Sequence, residues 1–184
     1  MTRFRGVLYI VVCAAGAAGD VGRLVGPAQE GGWTVQIVAT PSALAFVDVP
    51  ALEARTGRPV RSRHRAPDEP KPPRADAIIV APATYNTVNK FARGVADTYA
   101  LGLLAEAPGL GIPVVVVPFV NDALASRVPF RRSVETLRAE NVCVLPRPEE
   151  SGPHQLGSGD DRSDVYPWRR ALIEVEARLA ADGE

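Results

Sequence analysis

The residues best suited to chemistry follow the third of five apolar runs. There Ala81-Pro82-Ala83-Thr84 closes the run, and a helical pattern that carries Asn86 and Asn89 begins at once. Small residues leave room for a flat ring, while Thr84, Asn86 and free backbone amides can bond its heteroatoms. Asn86 and Asn89 are three positions apart, which places them on one face of a helix. This segment predicts a site for a flat heterocyclic ligand.

Two earlier turns offer groups that could bind the rest of such a ligand. In CAAGAAGDVG, Gly16 and Gly19 allow a close approach to backbone amides, and the start of a helix favours a phosphate. In ATPSALAFV, Thr40 and Ser42 supply hydroxyls. Structural explanations stay open, since glycines also serve tight packing, Ser42 can cap the following helix, and Asp20 can cap the helix after the first turn.

These turns follow strands in a regular alternation of apolar runs and helical patterns. The runs are short and β-branched, as in strands that are covered on both faces. The predicted strands are residues 7–13, 34–39, 77–80, 113–117 and 142–145. The predicted helices are residues 20–31, 85–93, 98–106, 130–140 and 166–181.

Alternating strands and helices predict an α/β fold, a Rossmann-like three-layer sandwich with a parallel sheet. Such sheets bind ligands beyond the carboxyl ends of their strands, where all of these turns would lie. We expect one domain over residues 1–184. Two long segments interrupt it: a basic, proline-rich surface loop at 56–74 and a polar segment at 146–164, which is a flexible flap or plain disorder.

Composition excludes several classes of protein. Hydrophobic residues make up 46% and charged residues 23%, as in ordinary globular chains, and the formal net charge is zero, so no global field attracts nucleic acid or anionic membranes. No apolar run is long enough for a membrane span, and the first run is better explained as a strand than as a signal peptide. Cys13 and Cys143 lie in or beside strand-like runs, which favours buried thiols in a cytoplasmic protein.

The segment APATYNTVNKFARGVADTYA carries a family resemblance. It resembles the APAT-x-N-T…K-x-A-x-G-x-A-D segment of the homo-oligomeric flavin-containing cysteine decarboxylases, and Ala96-Asp97 match the Ala-Asp of that motif. The resemblance extends from about Val7 to Leu145. It implies a cysteine decarboxylase-like flavoprotein fold and FMN as the cofactor. By that likeness, the FMN-binding candidates are Gly16, Thr40, Ser42, Phe46, Ala83 and Thr84, and the residue pattern of the third turn adds Asn86.

The resemblance also suggests catalytic residues. Pro118 and Asn121 match a family P-x-M-N-x-x-M segment whose asparagine contacts the substrate carboxylate, although Asn121 can equally cap the next helix. The family's histidine base corresponds best to His64, but an arginine follows it and a solvated loop histidine is an equal alternative. The flap contains His154 and no cysteine, unlike the coenzyme A branch of the family. The two histidines are far apart and predict no metal site.

The sequence therefore predicts an FMN enzyme that oxidatively decarboxylates a cysteine-like thiol carboxylate, on a peptide or a small molecule, outside coenzyme A synthesis. The alternatives are a flavin oxidoreductase, a flavin prenyltransferase-like enzyme and a non-catalytic flavin-binding protein. The family resemblance further implies a homo-oligomer, a trimer that can assemble into a dodecamer, with FMN at a subunit boundary. The apolar helix at residues 98–110 is either core or interface.

Overall fold

The computed structural model describes residues 5–145 and 166–181. Within them, parallel strands form one sheet in the order β2-β1-β3-β4-β5. The strands are β1 (Gly6–Val12), β2 (Trp33–Ala39), β3 (Ala77–Ala83), β4 (Val114–Pro118) and β5 (Cys143–Val144). The helices are α1 (Gly22–Glu30), α2 (Val49–Thr56), α3 (Tyr85–Ala92), α4 (Tyr99–Glu106), α5 (Asp122–Ala125), α6 (Val128–Ala139) and α7 (Trp168–Ala181). Short 3-10 helices occupy Gly16–Asp20, Pro41–Ala45 and Pro108–Leu110.

Both faces of the sheet are covered, which explains why its strands are apolar at consecutive positions. One face packs against α3, α4 and α6 through side chains such as Val11, Val80 and Leu104. The other face packs against α1 and α7 through side chains such as Ile10 and Leu24. This is the three-layer α/β sandwich that the alternation of elements predicts, and the prediction of the fold class is confirmed.

The first turn differs from the prediction. The expected helix over 20–31 is a 3-10 helix at Gly16–Asp20 followed by α1, because the small residues of GAAGD permit the tighter winding. Asp20 therefore ends the first helix instead of capping the second. Val21 stands at the start of α1, and it makes no side-chain capping bond.

A second difference follows β2, where the structure adds α2 just before the long basic loop. The helix begins after Asp48, whose carboxylate accepts a hydrogen bond from the amide of Ala51 (3.0 Å), and Pro50 fits its first turn. It ends at Gly57, which adopts a left-handed φ of 67°. The irregular segment predicted at 56–74 begins there. The described part of the chain contains no helix long and apolar enough to cross a bilayer.

Candidate functional site

The turns after β1, β2, β3 and β4 lie at one edge of the sheet, at its carboxyl ends. Backbone hydrogen bonds align them: Cys13 donates to Pro82 (3.1 Å), Thr40 to Val12 (2.9 Å) and Phe119 to Ala83 (2.8 Å). The strand order reverses between β1 and β3, so the chain crosses to opposite sides of the sheet after these two strands. Such a switch point is where open parallel sheets bind ligands. We define this edge as the carboxyl-edge site.

Gly16 is exposed in the turn after β1, at the start of the first 3-10 helix. The neighbouring Ala17 and Ala18 are fully buried, which holds this helix against the sheet. A Cβ atom on Gly19 would lie 3.5 Å from the carbonyl oxygen of Phe46. The turns after β1 and β2 therefore touch, and Gly16 is close in the fold to the other candidates that follow β2.

The turn after β2 carries three of the predicted cofactor residues, all at least partly exposed to solvent. Ser42 and Phe46 are exposed, the latter at 50% of its surface, and Thr40 is half-buried. Thr40 precedes the 3-10 helix without capping it, and α2 is capped by Asp48 instead of Ser42. The capping role considered for Ser42 is thus absent, and neither hydroxyl has a hydrogen-bond partner among the described residues.

Buried Ala83 and half-buried Thr84 form the turn after β3. The Thr84 hydroxyl caps α3 by accepting from the Thr87 amide (3.4 Å), and it also shares a hydrogen bond with the Thr87 hydroxyl (3.1 Å). Below it, the Cys13 thiol donates to that hydroxyl (3.3 Å). Burial raises the pKa of Cys13, so this thiol stays protonated. Cys13 and Thr87 are the floor of the site. The sequence predicts Cys13 only as a buried thiol, and it gives no signal for the contact with Thr87 because 74 positions separate the two residues.

Asn86 and Asn89 have different surroundings on α3. Asn86 is exposed, whereas Asn89 is half-buried, with its side chain donating to the Tyr85 carbonyl (2.8 Å) and accepting from Ser133 of α6 (2.7 Å). Asn89 is therefore a packing residue between helices. Asn86 remains available to a ligand at the start of α3.

Asn121 closes the site after β4. Its Oδ1 atom accepts a hydrogen bond from the Leu124 amide (2.9 Å) and so caps α5. Capping was the alternative to a pocket role for Asn121, but the cap uses only the amide oxygen. The Nδ2 group is left without a partner in the described residues, and it can donate to a carboxylate.

Tyr166 is a site residue that sequence reasoning placed only in a helix. Its buried hydroxyl donates to the Val117 carbonyl (2.5 Å) at the end of β4, and burial raises its pKa well above the ordinary value. Leu145 is also anchored there, through the Val116 carbonyl (2.9 Å). The predicted flap at 146–164 and its His154 lie outside the described residues, but the chain leaves and re-enters the described structure beside this site.

His64 lies beside α4. It is exposed, and its ring stacks edge-to-face on Tyr99 at a centroid distance of 5.2 Å. Its ring also approaches Gly102 of α4, where a Cβ atom would lie 3.9 Å from Cε1. None of the contacts that it makes with described residues involves the carboxyl-edge turns. Throughout 5–145 and 166–181, no three His, Cys, Asp or Glu side chains cluster closely enough to hold a metal ion.

Comparison with known proteins identifies relatives of this chain. The chain is 28% identical over 197 residues to the coenzyme A biosynthesis bifunctional protein CoaBC of Mycolicibacterium smegmatis, covering 95% of this chain and 46% of that protein. It is 34% identical over 83 residues to a dihydromethanopterin reductase (acceptor) of Methanosarcina mazei, covering 45% of this chain and 34% of that protein. The chain thus spans less than half the length of these two relatives.

Similar solved structures match over nearly their whole length. TvaF, an FMN-dependent cysteine decarboxylase from thioviridamide biosynthesis, superposes with a TM-score of 0.75 at 22% identity, over 95% of this chain and 98% of that one. SpaF, described as an FMN-dependent cysteine decarboxylase, gives a TM-score of 0.70 at 26% identity with the same coverage. These matches confirm the predicted fold.

A family model described as Flavoprotein matches residues 4–165. This range contains all of the turns at the carboxyl-edge site, and also His64. The match covers most of the chain and confirms the prediction of a flavoprotein. The chain belongs to the Flavoprotein family.

Proposed function

We propose that this protein binds FMN at the carboxyl-edge site and oxidatively decarboxylates a cysteine-like thiol carboxylate. The observation that carries the proposal is the arrangement of Asn121, whose Oδ1 is fixed by the α5 cap while its Nδ2 group is left to bind a carboxylate. It stands beside turns that suit a flavin. The similarity to SpaF over 95% of the chain supports the same reaction class.

The residues at the site fit FMN. The hydroxyls of Thr40 and Ser42 and the backbone amides around Gly16 are donors of the kind that bind ribityl and phosphate oxygens. The exposed ring of Phe46 offers an apolar surface for the flavin ring. Ala83 is small enough for a ring to lie close above it, with Thr84 and Asn86 at the ring's polar edge. We assign FMN binding to these seven residues.

The chain's own contribution to the reaction is to hold the substrate. When bound, FMN supplies the chemistry of accepting two electrons as the substrate thiol becomes a thioaldehyde. The carboxylate next to the oxidised carbon then leaves as carbon dioxide, and its electron pair moves to sulfur as an enethiolate. The Asn121 amide donates to that carboxylate and fixes its orientation. We assign His64 as the base that removes the thiol proton.

The position of His64 is explained if the site is completed by a second copy of the chain. Its ring is exposed, and its contacts within its own subunit are with α4. We propose a homotrimer, with further assembly to a dodecamer as its extension, in which FMN lies at a subunit boundary and His64 serves a neighbouring site. We also place the protein in the cytoplasm, where Cys13 and Cys143 remain free thiols.

A reconstitution experiment tests the proposal. The purified chain is loaded with FMN, incubated anaerobically with peptides that end in cysteine, and examined by mass spectrometry. We expect a product lighter by carbon dioxide and two hydrogens, and none from matched peptides that end in serine. A colourless protein that takes up no FMN would contradict the cofactor assignment. A flavin-loaded protein that leaves peptidyl and small-molecule cysteines unchanged would contradict the reaction.

A flavin oxidoreductase is the second candidate, favoured by the 34% identity to a dihydromethanopterin reductase over 83 residues. It predicts that bound flavin, once reduced, passes electrons to an added acceptor with no release of carbon dioxide. Measuring both products in the reconstituted protein separates the two candidates. A flavin prenyltransferase-like or a purely flavin-binding protein would give neither product.

A further inference from the structure

The segment from Arg58 to Arg74 concentrates positive charge on a chain that has no net charge. It contains six arginine and lysine residues against two acidic residues, Asp68 and Glu69. A local excess of this size in an otherwise balanced protein creates a positive potential on one part of the surface. FMN and carboxylate binding at the carboxyl-edge site do not account for this positive charge.

The segment has a defined shape. Near its start, the Arg61 backbone bonds both the Ile37 carbonyl (3.1 Å) and the Ala39 amide (2.8 Å) at the edge of β2. Near its end, the Tyr9 hydroxyl donates to the Pro73 carbonyl (2.7 Å). Burial raises the pKa of Tyr9 to about 12, so this hydroxyl keeps its proton at neutral pH. The backbone of the segment is therefore attached to the sheet near both of its ends.

Between the anchors lies a shallow open depression. It is lined by His64, Arg65, Pro67, Lys71, Pro72 and Tyr99. The side chain of Arg65 bonds to neutral carbonyl oxygens only, those of Ala66 (3.2 Å), Pro67 (3.1 Å) and Glu69 (3.0 Å). Lys71 is exposed and has no ion pair among the described residues. Two permanent positive charges thus border the depression without a carboxylate of their own.

The nearby acidic residues do not neutralise these charges. The Glu69 carboxylate is bound to Arg63 at 2.7 Å and to the Ala66 amide at 3.2 Å, and the Arg63 hydrogen bond lowers the pKa of Glu69. Asp68 is exposed and does not line the depression. The surface beside His64 is therefore complementary to a negatively charged group.

We propose that this depression binds acidic side chains of a peptide substrate, upstream of the C-terminal cysteine that reaches His64. The inference rests on the proposed decarboxylase function. An open surface leaves room for an extended peptide to lie across it. The proline rings and Tyr99 give the peptide backbone apolar contacts, while Arg65 and Lys71 select carboxylates along it.

Binding of two labelled peptides tests this inference without any turnover. Both end in serine in place of cysteine and differ only in carrying glutamates or glutamines upstream. By fluorescence anisotropy on the FMN-loaded protein, we expect the glutamate peptide to bind about threefold to tenfold more tightly at low salt, the range that a few exposed ion pairs provide. High salt should remove the difference.

A charge-matched pair of variants locates the effect. Lys71→Glu should abolish or reverse the preference for glutamate, whereas Arg170→Glu, the same charge change at an exposed position on α7, should preserve it. Equal binding of the two peptides, binding of neither, or an unchanged preference in the Lys71 variant would overturn the inference. So would inorganic phosphate removing the preference at an ionic strength where chloride does not, since the site would then be a phosphate site.

The outcome is separable from that of the proposed function. Flavin content and carbon dioxide release are measured on the same preparations with peptides that end in cysteine. Decarboxylation of the glutamate and glutamine peptides with equal kcat/KM would support the proposed function and contradict this inference. Preferential binding of glutamate peptides without release of carbon dioxide would support the binding surface and contradict the proposed reaction.

Discussion

Asn121 combines a structural role and a proposed substrate contact in one amide, and the two can be separated by substitution. In Asn121→Asp, the carboxylate still accepts the Leu124 hydrogen bond, so the cap and the fold are retained. Its charge, however, faces the substrate carboxylate, and such a like-charge contact costs several kcal/mol, so kcat/KM should fall by about a hundredfold or more.

Steady-state decarboxylation of a cysteine-terminated peptide in air, where dioxygen reoxidises the reduced flavin, measures this effect. The FMN dissociation constant and the urea midpoint serve as controls, and both should match the wild type. Asn121→Ala should additionally lose about 1 kcal/mol of unfolding free energy, because it removes the cap. Full activity in Asn121→Asp would exclude a contact between this residue and the carboxylate.

The two cysteines should differ in reactivity. Cys13 is fully buried, and burial raises its thiol pKa. Cys143 is half-buried, and burial, together with the negative charge of Glu174, raises its pKa as well. A raised pKa means less thiolate than free cysteine has at the same pH, so alkylation of Cys143 should be slow at neutral pH and accelerate as the pH rises past the ordinary thiol range.

Iodoacetamide labelling followed by peptide mass spectrometry tests this expectation. Cys13 should react only after unfolding in urea, where both thiols should label at the rate of free cysteine. Rapid labelling of Cys13 in the native protein at neutral pH would show that the floor of the site opens to solvent.

At the residue scale, the sequence predicts which turns meet at the carboxyl-edge site but not which contacts their side chains make. Gly16, Thr40 and Thr84 could be selected because the ends of apolar strands are visible as sequence patterns. The contact of Cys13 with Thr87 could not, since hydrogen bonds between distant residues depend on how β1 and α3 pack. For the same reason, the contact of His64 with Tyr99 has no signal in the local sequence.

At the scale of elements, α3 positions the most specific turn of the site, and one polar link joins it to α6 beside their apolar contacts. The buried Ser133 hydroxyl donates to Asn89 Oδ1 (2.7 Å). Ser133→Ala leaves that half-buried oxygen without its partner, so we expect a loss of about 1–2 kcal/mol in the free energy of unfolding.

Urea denaturation of the FMN-free protein measures this loss. Ser126→Ala is the matched control, because the Ser126 hydroxyl is bonded to the Ala123 carbonyl (3.2 Å) on an exposed surface, and its removal should change stability by less than about 0.5 kcal/mol. Equal stabilities of the two variants would indicate that water replaces the Ser133 hydroxyl.

Periodicity and β-branched runs predict the strands well, because each strand is covered on both faces and has a continuous apolar sequence. Helices are harder to predict where a capping residue, and not an apolar stripe, determines where they form. The α2 helix depends on the Asp48 cap and on Pro50, within a segment that has no strong apolar stripe. Its absence from the prediction shows that short, capped surface helices need a capping argument as well as periodicity.

At the scale of the whole molecule, the carboxyl-edge site and His64 are both exposed, and the contacts of the His64 ring are with α4. Phe46 is 50% exposed at the site, and His64 is exposed beside α4. A cyclic trimer would bring the two surfaces together three times, since each head-to-tail interface joins one face of a subunit to a different face of its neighbour. The sequence could imply this assembly only through resemblance, because no local pattern distinguishes an interface from a core.

Mixed trimers test this arrangement directly. Subunits with His64→Asn lack the proposed base, and subunits with Asn121→Asp cannot hold the carboxylate, so each variant alone should be nearly inactive. If His64 serves a neighbouring site, co-expressed subunits form some sites with Asn121 from one variant and His64 from the other. In a cyclic trimer that contains both variants, one of the three sites has both residues intact, so mixed trimers should recover about a third of the wild-type kcat.

Doubly tagged mixed oligomers, purified and assayed for carbon dioxide release, measure this restoration. Mixing the two purified homo-oligomers without exchange of subunits is the control and should restore nothing. If His64 acts within its own subunit, every site in the mixed oligomer lacks one of the two residues and activity stays at the level of the single variants. Recovery therefore requires both a multimer and a site shared between its subunits, whereas failure with intact oligomers would place the base elsewhere in the chain.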